Sequence, residues 1–128
     1  MNYTTNVGER GVAVEETRRL IASDKVEGTA VFDAEANHLG RIHHLMIDKY
    51  SGQVAYAVAA FGGFLGMGES WIPLPWRALK YEPRVAGYIV SVDRSKLQMA
   101  PRYASQTEPD WSDRALEEEI ERYWYPPL

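Results

Sequence analysis

Gln53-Val54-Ala55-Tyr56-Ala57-Val58-Ala59-Ala60-Phe61 is the most continuous apolar run in the chain. In an extended backbone Val54, Tyr56 and Val58 share one face, and Ala55, Ala57 and Ala59 the other. A segment with two apolar faces belongs in the middle of a sheet, and its small alanines permit close packing. The preceding Asp48-Lys49-Tyr50-Ser51-Gly52 is a turn, so the run is one arm of a hairpin.

Working outward, the other arm runs from about Leu39 to Ile47. Its Ile42, Leu45 and Ile47 break strict alternation at His43-His44, which predicts a bulge that keeps all three apolar side chains inward. Before it, Asp33 to His38 reads as a polar connection, with Asn37 suited to a left-handed backbone position, and Thr29 to Phe32 as a strand. Ser23 to Gly28 has a capping-type residue first and glycine last, the pattern of a single helical turn. Downstream, Ser70 to Leu74 is a further strand in which Pro73 fits only an edge or bulged position. Pro75 to Leu79 is a short helical turn with proline first, and Lys80 to Glu82 is extended. Gly87 to Val92 alternates as a strand, and Asp93 caps a short helix from Arg94 to Met99 that Pro101 stops. Five or six short strands joined by tight turns predict a small barrel, because closure removes exposed edges. After a polar stretch, Leu116, Ile120 and Trp124 repeat every four residues over a helix from Ser112 to about Tyr123, so that helix should dock by this stripe. Glu117, Glu118, Glu119 and Glu121 cover its outside, as a solvated face or as a contact for a basic partner. The first nineteen residues show no sustained period and read as a flexible arm, residues 20–100 as the barrel domain, and residues 101–128 as a linker and the C-terminal helix.

Between the central strand and Ser70 lies Gly62-Gly63-Phe64-Leu65-Gly66-Met67-Gly68-Glu69, a glycine-rich connection carrying large apolar side chains. Phe64, Leu65 and Met67 each forgo roughly 1.5–3 kcal/mol of burial if left in water. They either fold back on their own barrel or are covered by a second copy or a partner. The interface expected on this ground comprises Phe61, Phe64, Leu65, Met67 and Trp71.

Composition narrows the function. The 128 residues, 45% hydrophobic and 12% aromatic, suffice for one globular domain with a real core. Fourteen basic against eighteen acidic residues give a net charge of −4, which argues against a broad nucleic-acid surface. The chain has no cysteine, hence no thiol nucleophile, disulfide or thiolate zinc site, in keeping with a reducing, cytoplasmic interior. The polar N-terminus lacks the apolar centre of a signal peptide, and no stretch approaches the roughly 18–20 apolar residues of a membrane span. A soluble cytoplasmic protein without direct membrane insertion is expected.

Taken in order, Gly28-Thr29-Ala30-Val31-Phe32-Asp33, Leu39-Gly40-Arg41-Ile42, Leu45-Met46-Ile47-Asp48, Ser51 to Val58, the glycine loop and Ile72-Pro73-Leu74-Pro75-Trp76 resemble the PRC-barrel domain family over roughly residues 20 to 100. The resemblance implies a mainly β fold: a compact barrel of about six short strands with short helical turns, here followed by a C-terminal amphipathic helix. It also implies a protein-binding module, as in the cytoplasmic barrel of the photosynthetic reaction-centre H subunit and in a ribosome maturation factor. The chain resembles the stand-alone bacterial type, having neither the membrane helix of the first nor the extra N-terminal domain of the second. The resemblance brings no catalytic residues.

The chemical candidates are sparse. His43 and His44, with His38, Asp33 and Asp48, come nearest to a metal-ligand set, but neighbours on a regular strand point to opposite faces. The pair converges on one ion only across a bulge or between two subunits. Gly66-Met67-Gly68 is not followed by the lysine and helix of a phosphate-binding loop, and neither Gly-Xaa-Ser-Xaa-Gly nor a HExxH pattern occurs. Trp71, Trp76, Trp111 and Trp124 lack the interleaved cations of a nucleic-acid stacking platform and read as core and docking residues. Trp124-Tyr125-Pro126-Pro127 offers a short docking tail as an alternative.

The expectation is therefore a non-catalytic assembly module, without cofactor or metal, that forms a homodimer or higher homo-oligomer through the glycine loop and takes a protein partner. Two alternatives are a peripheral subunit on the cytoplasmic face of a photosynthetic or electron-transfer membrane complex, and a metal-dependent hydrolase with histidine ligands at a subunit boundary.

Overall fold

The computed structural model describes residues 19–62, 69–104 and 107–127. The flexible arm expected over residues 1–19 falls almost wholly outside the described residues, as do Phe64, Leu65 and Met67.

The fold is mainly β. After a helical turn α1 (Ser23–Val26), strands β1 (Ala30–Phe32), β2 (His38–Ile47), β3 (Val54–Phe61) and β4 (Ser70–Pro75) follow in turn. A 3-10 turn (Trp76–Ala78) leads to β5 (Leu79–Glu82) and β6 (Gly87–Val90), then come α2 (Arg94–Gln98), β7 (Tyr103–Ala104) and α3 (Arg114–Trp124). The seven strands form one sheet in the order β5-β6-β1-β2-β3-β4-β7. β5 lies at one edge and β4 next to the other, yet three residues of 3-10 helix connect them, a rise of only ~6 Å. The sheet must curl on itself to allow that, and it encloses a single core including Val31, Ile42, Ala57, Ala59, Phe61, Ile72, Leu74 and Val90.

β3 is central, as its two apolar faces require, and six of its eight residues are buried. Ala57, Ala59 and Phe61 join the enclosed core, whereas Val58 and Ala60 join Trp71 in a second cluster on the opposite face. Pro73 pairs with Val58 of β3, but β7 pairs only with Ser70 and Trp71, so Pro73 takes an edge-type position with no ladder donor demanded on that side. The helix stripe docks as its spacing predicts: Ile120 and Trp124 are buried, and Leu116 packs partly against the core. α3 begins at Arg114 rather than Ser112, and Asp113 caps it, its carboxylate accepting from the Ala115 N–H.

Two local expectations are corrected. Ala36 (φ 67°), not Asn37, takes the left-handed position in the β1–β2 connection. The Asn37 N–H and side-chain amide both donate to the Asp33 carboxylate, at 2.9 and 3.1 Å, which holds Asn37 in place and displaces the turn by one residue. Ser23 lies within α1 rather than capping it; the cap position is Ala22, without a side-chain hydrogen bond. Gly28 does close the turn, with φ 89°.

Candidate interaction face and histidine pair

The glycine loop springs from the β3–β4 hairpin, whose last pair is Phe61 with Ser70. Phe61 points into the core, fully buried, and there it fills space that Gly40 on β2 leaves open. Trp71 points to the other face and is 5% exposed. Neither offers its side chain to the surface of the protomer, so of the five expected interface residues the loop's own Phe64, Leu65 and Met67 are left, all outside the described residues. At the foot of the loop lies a cleft of about 520 Å³ bordered by Gly28, Ala30, Leu39, Gly40, Ala60 and Glu69. His38 and Arg41 add a polar side to its walls.

The covering of Trp71 comes from a stretch that the sequence reading took for a polar linker. Tyr103 and Trp111 pack over Val58, Ala60 and Trp71, and Trp111 also stacks on Tyr56 at 5.8 Å between ring centroids. Trp111 is oriented by Nε1 donating to Glu108 Oε1 at 2.8 Å. Burial, followed by the charges of Glu117 and Glu121, pushes the Tyr56 hydroxyl up to about 12. Burial likewise pushes up Tyr103, whose buried hydroxyl has no hydrogen-bond partner among the described residues. α3 is tied down by Arg77, which donates to Glu121 at 2.6 Å and lies 3.9 Å from the centre of the Tyr125 ring.

The bulge expected at His43-His44 is present, but it does not keep all three apolar side chains inward: Ile42 is buried and Leu45 half-buried, whereas a second register shift between Met46 and Ile47 leaves Ile47 exposed. The β2–β3 register runs Ile42 to Ala59 and then His44 to Val58, leaving His43 as the extra residue. The two imidazoles therefore meet on one side of the strand, with Nδ1 to Nδ1 at 2.9 Å. His43 also lies against Trp71, ring centroids 4.3 Å apart, and His44 meets the same indole edge-on at 5.4 Å. β2 and β4 flank β3, about 10 Å apart, so these rings touch only because the side chains between them, Val58 and Ala60, are small. His44 Nε2 is buried and lies 3.3 Å from Glu108 Oε2, aligned too poorly for a hydrogen bond. Burial holds His44 below the ordinary imidazole range, with Glu108 opposing and His43 adding to the shift. His38 lies elsewhere, edge-on to Phe32, and Asp33 and Asp48 are engaged by turn amides. Among the described residues no three His, Asp or Glu side chains converge in metal-ligand geometry.

Glu108 and Tyr103 were missed from sequence. Their only local signal is an aromatic every few residues in a polar stretch, and the contacts that tie them to the sheet, Tyr103 with Trp71 and Glu108 with His44, lie more than thirty residues away in the chain. Among the described residues no helix is long and apolar enough to cross a membrane.

A curled β-sheet of short strands, strung between helical turns, defines the molecule as a small β-barrel. The PRC-barrel domain matches residues 19–98, and the chain belongs to that family. No curated protein matches the sequence. The match ends before β7, so the segment that covers Trp71, and the docked helix α3, lie beyond it.

Proposed function

We propose that the protein is a non-catalytic assembly module that forms a homodimer through the loop between β3 and β4. The observation that carries this reading is the juxtaposition at the hairpin tip. Phe64, Leu65 and Met67 belong to a connection whose two ends are fixed by buried residues, Phe61 and Ser70, and at its foot opens the cleft lined by Gly28, Ala30, His38, Gly40, Arg41 and Ala60. Apolar side chains in the sequence of that connection, together with a recess at its foot, would supply both halves of a self-complementary contact, the requirement for an isologous two-fold. Family membership supports the coarser part of the reading, an interaction or assembly role. The test is the triple substitution of Phe64, Leu65 and Met67 by serine, followed by absolute mass measurement. The barrel should stay folded by circular dichroism while the association state falls to monomer. A triple variant that kept the parent's mass at every concentration would move the interface elsewhere.

A further inference from the structure

We propose that His43 and His44 form a chelating site for a divalent first-row cation, Cu²⁺ foremost. The bulge in β2 is what creates it: on a regular strand the two rings would lie on opposite faces, whereas here both Nδ1 atoms meet at 2.9 Å. Each ring is held by a separate neighbour. The His43 ring lies on the Trp71 indole at 4.3 Å, and His44 Nε2 faces the Glu108 carboxylate at 3.3 Å. A proton on Nε2, the nitrogen that faces that carboxylate, leaves Nδ1 of His44 as the acceptor of the hydrogen bond from His43 Nδ1–H, and it is this shared proton that the metal ion replaces. On binding, the His43 Nδ1 proton moves through water to its own Nε2, so both rings ligate in their neutral form and no proton is lost overall.

The donor type ranks the metals, since imidazole nitrogens bind Cu²⁺ more tightly than Ni²⁺ or Zn²⁺. Water completes the coordination, since His43 is exposed. No subunit boundary is required to bring the pair together.

The site lies beside Trp71, so copper bound there quenches that indole. The experiment titrates CuCl₂ into the full-length protein, reading tryptophan emission and the electron paramagnetic resonance spectrum together. The expected result is one ion per chain with a tetragonal signal and nitrogen hyperfine structure. Trp71→Phe should remove most of the quenching and leave the resonance signal in place. His43→Gln, at an exposed position, should weaken binding at least tenfold, and Glu108→Gln should weaken it by about tenfold through the orientation of His44. His38→Gln should change nothing. Copper uptake by folded His43→Gln at the parent midpoint, or a signal without nitrogen coupling, would overturn the proposal.

Discussion

Gly40→Ala tests how tightly the sheet is wrapped around the foot of the loop. Gly40 pairs with Phe61 across the β2–β3 ladder, and its backbone is not in the left-handed region, so its requirement is purely steric. A Cβ built there would lie 2.2 Å from the Ala60 carbonyl oxygen and 2.7 Å from Phe61 Cδ1. Carbon–oxygen contacts ordinarily stop at ~3.3 Å, so the two strands would have to part by about 1 Å at the centre of the sheet. The carbonyl cannot swing aside as a flexible side chain would, and Phe61 is fully buried in the core. Overpacking of this kind costs ~1–3 kcal/mol, and the backbone contact puts Gly40→Ala at the upper end, about 3 kcal/mol. For a chain of this size that corresponds to a fall in Tm of ~10 °C. Gly52→Ala is the internal control: nothing lies within 4 Å of its would-be Cβ, and its φ of +79° leaves only the left-handed penalty, about 1 kcal/mol. Urea unfolding followed by tryptophan emission measures both. Gly40→Ala within 0.5 kcal/mol of the parent, or less destabilised than Gly52→Ala, would refute the steric argument.

Ile120→Ala removes the fully buried centre of the α3 stripe and should cost ~2–4 kcal/mol in the same assay, with undocking of the helix visible as increased protease cleavage near residue 112. Ala36→Gly should stabilise by ~0.5–1 kcal/mol, because it relieves an L-residue at φ 67°; a neutral or destabilising result would contradict that backbone assignment. Stability should fall with acid in a particular way. Burial raises Asp33, but hydrogen bonds from Asn37 and Glu35 outweigh it and hold its carboxyl below the ordinary value. The amides of Ser51 and Tyr50 do the same for Asp48, and the Ser95 hydroxyl with the Lys96 amide for Asp93. Because these folded-state values lie below the unfolded ones, their contribution is complete above pH ~4 and is lost as pH falls through the lower folded values. Asp33→Asn should flatten the decline in Tm between pH 4 and pH 2, and an unchanged slope would count against this account.

Features encoded by local chemistry were legible in the sequence. The two-faced apolar run over residues 53–61 marked the central strand, the broken alternation at His43-His44 marked the bulge, and the fourfold spacing of Leu116, Ile120 and Trp124 marked the docking stripe. Pro73 was legible as an edge-type residue because its missing N–H is a property of the residue itself. What could not be read depends on partners remote in the chain. β7 has only two residues, too few for any periodicity, and Trp111 is placed by Tyr56 and Glu108 rather than by its neighbours' pattern. The left-handed residue was displaced from Asn37 to Ala36 because Asp33 captures the asparagine side chain, a competition that propensity alone does not decide. The histidine pair was legible as a condition, convergence only across a bulge or between two subunits, but the indole and carboxylate that flank the two rings come from β4 and from residue 108.

Absolute mass by light scattering behind a sizing column, over a hundredfold range of concentration, bears most directly on the proposal that the β3–β4 loop makes the protein an assembly module. The account predicts a species of twice the 14.5 kDa chain mass that falls to 14.5 kDa when Phe64, Leu65 and Met67 are replaced by serine. A parent chain that runs at 14.5 kDa throughout, indistinguishable from the triple variant, would contradict it.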